Sequence, residues 1–205
     1  MRLFFAASIS CLLLVSNVQH WQITKHPNLH RYAISTDTFT SDYLYSEVSE
    51  LCEGKAYVAK GELYAYVNKD LKELTPYVFV EAHNFIDGYA IVGDSISKNL
   101  LNSRMQVILP IGVAQLRLPT DGLIIVKSHS ETWGIYDVRG NQKLPMIYDI
   151  PPVVINRETI IVRKEEVYGV VNDCNEIIHP VGFQYISKNG LGYKQGKYLR
   201  LFNRK

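Results

Sequence analysis

The chain is poor in the residues that would mark several large protein classes. It has only three cysteines and three methionines in 205 residues, too few cysteines for a disulfide scaffold. Charge of one sign is also missing: 22 Lys and Arg balance 20 Asp and Glu, a net of +2, which argues against a dedicated binder of phosphate backbones. Beyond the first 15 residues no apolar run is long enough to cross a bilayer as a helix. No window shows convincing 3.6-residue periodicity; residues 42–51 come nearest. Collagen-like and coiled-coil classes are excluded by composition.

What is present points to β structure. Fourteen Tyr and seven Phe favour strands, and 47% apolar against 20% charged residues is the balance of a folded domain able to bury a core.

The amino terminus opens Met1-Arg2 and then runs uncharged from Leu3 to Val15, the pattern of a secretory leader behind one positive charge. Residues 1–19 read as a signal peptide cut between Ser16 and His20, although no small-residue cleavage pattern follows. An uncleaved anchor and a buried first strand are the alternatives, and Cys11 has no lipoprotein context. Leader removal leaves no integral membrane span and implies a secreted, periplasmic or envelope location. Cys52 and Cys174 then remain; an even count in an exported protein permits one disulfide, and separate, partly buried thiols are the simpler expectation.

Self-comparison is the most informative step. Apolar quartets end at Val58, Val92, Val126 and Val162, spaced 34, 34 and 36 residues. An aromatic site follows at Tyr64, Trp133 and Tyr168, with Lys98 in its place in the second copy; four residues on stands an Asx, Asn68, Asn102, Asp137 or Asn172. A proline then closes each copy, at Pro76, Pro110, Pro145 and Pro180, spaced 34, 35 and 35. Three ladders share one period. They predict an all-β array of short antiparallel strands in units of about 35 residues, near 54–87, 88–121, 122–157 and 158–190, inside a domain of 43–205 with partial units at both ends. Residues 20–42 read as a linker or cap. The array is expected to be an open twisted solenoid or an incomplete propeller.

The local chemistry fits strands and turns. Asp137-Val138-Arg139-Gly140 suits a type I turn whose final glycine takes positive φ, and Asn175 tolerates the same place. Leu71 and Met105 stand there in the first two units, and since neither residue favours positive φ, those turns are expected to be built differently. The prolines are expected to end strands, because proline cannot donate a ladder hydrogen bond.

The third and fourth units read G-L-I-I-V-x(6)-W-G-I-Y-D-x-x-G-x(4)-P-x-x-Y-D and T-I-I-V-x(5)-Y-G-V-V-N-x-x-N-x(4)-P. This pattern resembles the WG-containing, or KWG, repeat family of bacterial proteins. Trp133-Gly134 matches fully with Thr132 in place of lysine, Tyr168-Gly169 is a near match, Tyr64-Ala65 is weaker, and Lys98-Asn99 departs outright, so the second unit is degenerate. The resemblance covers about residues 43–203. It implies an all-β repeat array and brings no catalytic residues and no cofactor. In such an array Tyr64, Trp133 and Tyr168 are expected to stack as core, and Gly134 and Gly169 to admit a neighbouring strand.

Candidate chemistry outside the repeat is thin. His26 and His30 lie four apart, but Pro27 and Asn28 argue for a loop over a metal-binding helix face. His83, His129 and His179 fall in different phases of the repeat. No nucleophile elbow, zinc-protease motif, phosphate loop or dinucleotide fingerprint occurs, and Cys52 and Cys174 lack the local signature of a reactive thiol. Glu47, Glu50 and Glu53 read as a solvated face. The basic, aromatic-interleaved end, with Lys188, Lys194, Lys197, Arg200, Arg204 and Lys205, reads as a polar cap and not as a nucleic-acid surface. The function expected is therefore a non-catalytic interaction scaffold with a protein or glycan partner, no cofactor and no metal. Its binding residues are sought at outward positions that break the repeat, such as Lys127, His129, Glu131, Arg163, Lys164 and Glu165. A hydrolase with a site assembled between units and a purely structural module are the alternatives.

Overall fold

The quartets and aromatic segments pair into antiparallel hairpins, and those hairpins are the repeating element of the computed structural model, which describes residues 20–203. Residues 1–19, expected from sequence to be a signal peptide, and Arg204 and Lys205 lie outside the described residues. Within them there are no helices and 19 short strands. The stretch 42–51 is not helical and contains bends, the bridge residue Tyr45 and a two-residue strand at Glu47–Val48.

Six small sheets follow one another along the chain. The first is the hairpin β1 (Trp21–Lys25) and β2 (Tyr32–Thr36). The second orders β3 (Glu47–Val48), β4 (Lys55–Lys60) and β5 (Leu63–Asn68), and the third β6 (Glu81–Ala82), β7 (Tyr89–Gly93) and β8 (Lys98–Asn102). The fourth has four strands, β9 (Gln115–Leu116), β10 (Leu123–Lys127), β11 (Trp133–Asp137) and β12 (Gln142–Tyr148). The fifth repeats it with β13 (Val153–Asn156), β14 (Thr159–Lys164), β15 (Val167–Val171) and β16 (Ile177–Phe183). The last is β17 (Tyr185–Ile186), β18 (Leu191–Lys194) and β19 (Lys197–Arg200).

Register is the same in every copy. Val58 pairs with Ala65, Val92 with Asn99, Val126 with Gly134 and Val162 with Gly169. Residues 20–42, read from sequence as a linker or cap, follow the same scheme, because Tyr32 bridges to Tyr45 as Tyr64 bridges to Phe79. His26 and His30 sit at the tip of that first hairpin, where the His26 ring nitrogen accepts from the N–H groups of Asn28 and Leu29.

Strand alternation then builds the core between sheets. Val58 and Val67 face back onto Ile34 of the sheet before, while Tyr66 faces forward onto Ala90, Val92 and Leu101 of the sheet after. Leu100 meets Ile124, Val126 and Tyr136; Ile135 meets Ile160, Val162 and Val171; Val170 meets Phe183 and Ile186. Five apolar clusters thus sit between six sheets. Among the described residues no apolar cluster joins the first sheet to the last.

The aromatic ladder is placed differently from expectation. Tyr64, Trp133 and Tyr168 occupy one equivalent register position but are half-buried. The fully buried ladder lies two residues on, at Ile34, Tyr66, Leu100, Ile135 and Val170, each about 1% exposed or less. Parity explains the shift: both positions point the same way, but the first lies beside the hairpin end and the second at mid-sheet.

The prolines do not end strands. Pro145 and Pro180 lie inside β12 and β16, where register slips between Trp133↔Tyr148 and Ile135↔Leu144, and between Tyr168↔Phe183 and Val170↔His179. Pro76 and Pro110 sit between paired bridges of the same spacing. Each proline occupies a bulge, the one part of the segment that owes the ladder no N–H.

Candidate functional site

Two rims result from this stacking, and they differ in kind. One carries the turns after the aromatic strands. There Asn68, Asn102, Asp137 and Asn172 each accept two backbone N–H bonds through Oδ1, from the residues two and four ahead, at 2.8–3.0 Å. The third residue after each Asx is left-handed: Leu71 at φ 61°, Met105 at 61°, Gly140 at 84° and Asn175 at 62°. Leu71 and Met105 therefore adopt the same turn as glycine does, against the expectation of a different one. Their side chains pack on the inter-sheet clusters, which compensates for a backbone that L-residues disfavour. At Asp137, burial works to raise the pKa, but the side-chain amide of Asn141 and the N–H groups of Asn141 and Arg139 hold it below the usual value.

The glycines after the aromatic site answer to the bulged strand. A Cβ on Gly134 would lie 2.8 Å from Met146 Cγ and 2.9 Å from the Leu144 carbonyl oxygen; one on Gly169 would lie 2.9 Å from Val181 Cγ1 and 2.9 Å from the Val181 backbone nitrogen. Where the fourth segment makes only isolated bridges, the site holds Ala65 or Asn99. Asn99 replaces missing ladder bonds with its own amide, donating to the Leu109 carbonyl at 3.0 Å and accepting from the Leu109 N–H at 3.0 Å. Lys98 likewise has an orderly role: it meets Glu81 at 2.7 Å, as the Tyr64 hydroxyl meets Glu47 at 2.6 Å one unit earlier.

The opposite rim carries the hairpin tips. They span 26–31, 61–62, 94–97, 128–132, 165–166 and 195–196. The outward candidates gather here in two adjacent tips. Lys127 pairs with Glu131 and lies 5.8 Å over the Trp133 ring, with Arg117 at 5.9 Å; Arg163 lies 5.8 Å over Tyr168. Lys164 lies 3.9 Å from Glu165. His129 joins its tip to the preceding one through Ser97 Oγ at 3.1 Å.

Among the described residues no group of three metal-ligating side chains occurs. Cys52 and Cys174 are free thiols, not a disulfide. His83 contacts Glu81 at 2.6 Å, and His179 reaches the Leu201 carbonyl at 3.1 Å. The largest of the main clefts, about 390 Å³, lies between the fourth and fifth sheets and is lined by Arg117, Thr120, Pro151, Pro152, Lys188 and apolar neighbours. It holds no carboxylate and no histidine to activate Thr120. Sequence reasoning overlooked the ladder Tyr45, Phe79, Val113, Tyr148 and Phe183, which closes each inter-sheet core; its spacing of 34 to 35 residues is the signal that would have found it.

No family model matches the chain, and no curated protein matches it. The solved structures similar to the chain are distant. Hsv2p of Kluyveromyces lactis is 11% identical, with a TM-score of 0.41 over 90% of this chain and 72% of that one. BamB from Moraxella catarrhalis is 10% identical, with a TM-score of 0.35 over 80% and 62%. The N-terminal domain of Nup159 is 10% identical, with a TM-score of 0.33 over 73% and 41%. Likeness at this distance carries no argument about activity. No helix of the described residues is long and apolar enough to cross a membrane.

Proposed function

We propose that this chain is a non-catalytic scaffold of the WG-repeat type, exported to the bacterial envelope or exterior, that binds a protein or glycan along its hairpin-tip rim. The supporting observation is the contrast between fixed register and variable tips. The hairpin register is equivalent from copy to copy, whereas the tips hold six, two, four, five, two and two residues of unlike chemistry. A rigid frame with variable connections is how scaffolds place binding groups. The tips around Lys127, His129, Glu131, Arg163, Lys164 and Glu165 place charges of both signs near the Trp133 and Tyr168 rings, a mixed surface suited to polar ligands with an apolar face.

The test replaces 128–132 and 165–166 with Asn-Gly turns. Envelope proteins and glycans retained by the intact chain should be lost, with the circular dichroism spectrum and melting unchanged. Equal retention by both forms would remove the rim from consideration, and turnover of a generic ester, peptide or glycoside substrate would overturn the non-catalytic reading. Amino-terminal sequencing of the mature chain should begin between residues 17 and 20 if the leader is cut.

A further inference from the structure

The cleft between the fourth and fifth sheets has a chemistry that the hairpin tips do not use. Ladder pairing sets Gln115, Lys127 and Trp133 abreast. The Arg117 N–H donates to the Ile125 carbonyl at 3.0 Å, so Arg117 and Ile125 stand two residues along on the same face. That face looks onto the fifth sheet, since Ile125, Trp133 and Val154 flank the core in which Ile135 meets Ile160 and Val162. The Arg117 guanidinium lies 5.9 Å over the Trp133 ring, a contact that positions the end of a long side chain at the cleft it lines.

The walls are apolar and one of them is stiff. Leu118, Leu123 and Ile125 form one side, and Pro151, Pro152 and Val154 the other. Two consecutive prolines fix their own φ, so that side needs little ordering when a ligand enters. Each wall is backed by a further sheet, the third behind the fourth and the sixth behind the fifth. The polar lining consists of Arg117, Thr120 and Lys188, the last from the turn between β17 and β18. Both charges are therefore positive. The nearest carboxylates in sequence, Asp121 and Asp149, stand outside the lining, and Asp149 Oδ2 accepts the Glu166 N–H at 2.9 Å.

We propose that this cleft binds a small organic carboxylate with an aromatic or branched aliphatic body. The planar carboxylate matches the two-pronged guanidinium of Arg117, with the Lys188 ammonium as a second cation and the Thr120 hydroxyl as a further donor. The body would cover Leu118, Pro151 and Pro152. A volume of about 390 Å³ is room for a ligand of this kind. A bare inorganic anion would leave the walls in water, and a neutral apolar molecule would strip water from two cations without replacing it. None of the lining residues belongs to a hairpin tip, so replacing 128–132 and 165–166 leaves the cleft intact, and the two proposals fail independently.

The experiment titrates hydrocinnamate into the full chain at low salt, followed by calorimetry. One-to-one binding is expected with a Kd of about 0.01–1 mM. Hydrocinnamamide, which has the same body without the charge, should bind at least about tenfold more weakly, as should acetate and inorganic phosphate. Arg117→Gln and Lys188→Gln should each weaken hydrocinnamate at least about threefold. The comparison of acid with amide uses the unaltered protein, so it decides the matter even if a variant folds poorly. Equal binding of the amide would overturn carboxylate recognition, and equal binding of acetate or phosphate would overturn the role of the walls. Unchanged affinity in both variants would place the ligand elsewhere and overturn the assignment, as would the lack of saturation by about 10 mM hydrocinnamate.

Discussion

Leu71 and Met105 stand 34 residues apart, each at φ 61°, each three residues after an asparagine whose side chain closes the turn. Two bulky residues hold a conformation that the third unit gives to Gly140. The Asx side chain dictates the path, and whatever follows must take it. Because left-handed backbone costs a non-glycine residue about 1–2 kcal/mol, Leu71→Gly should exchange lost packing for relieved strain and change stability by less than about 1 kcal/mol. Leu71→Val, β-branched at positive φ, should cost about 2 kcal/mol or more. Urea denaturation of the three proteins measures both.

Gly134 and Gly169 should tolerate nothing larger. A Cβ at 2.8–2.9 Å from neighbouring atoms, backbone among them, forces the bulged strand outward, so Gly134→Ala and Gly169→Ala should each cost about 2–3 kcal/mol. At the equivalent position of the degenerate unit the sign of the size effect reverses. Asn99→Gly removes the amide that satisfies both backbone groups of Leu109 and should cost about 2 kcal/mol. Thermal melting compared across the three variants checks the contrast.

The Asp137 turn should show a pH signature. Its carboxyl is held below its usual value by hydrogen bonds from Asn141 and Arg139, so its stabilising contribution is present above the unfolded value of 3.8 and is lost as pH falls through the lower folded value. Asp137→Asn preserves the acceptor and should flatten this acid limb in a stability-versus-pH series. Asp137→Ala should cost about 1 kcal/mol at neutral pH.

The Tyr64 hydroxyl should titrate late. Its hydrogen bond to Glu47, with partial burial, pushes the phenol up to about 12, so the stability it contributes is full below pH 10 and is lost as pH rises through the folded value. Glu47→Gln should bring the phenol back toward 10, the ordinary value, read as tyrosinate absorbance. An unchanged titration would mean that Glu47 does not hold it.

The period, the strand class and the Asx turns of the third and fourth units were legible in the chain because each depends on local residue type at fixed spacing, whereas the same turns at Leu71 and Met105 were not. The resemblance to WG repeats drew attention to Trp133-Gly134 and Tyr168-Gly169, yet their meaning was partly misread. The sequence places rings every 35 residues or so, but only the register of β10 against β11 and of β14 against β15 shows that Ile135 and Val170, two residues on, reach mid-sheet while Trp133 and Tyr168 stay near the hairpin end.

Spacing along the chain alone determined that a module recurs, where it turns and which positions are apolar, since these follow from steric and hydrophobic preferences of neighbouring residues. Tertiary structure alone decided which apolar positions become core, why Pro145 and Pro180 lie within strands and not at their ends, and how Asn99 substitutes for ladder bonds. Those outcomes depend on what the facing segment supplies: a bulge over a glycine, or a backbone group awaiting an amide.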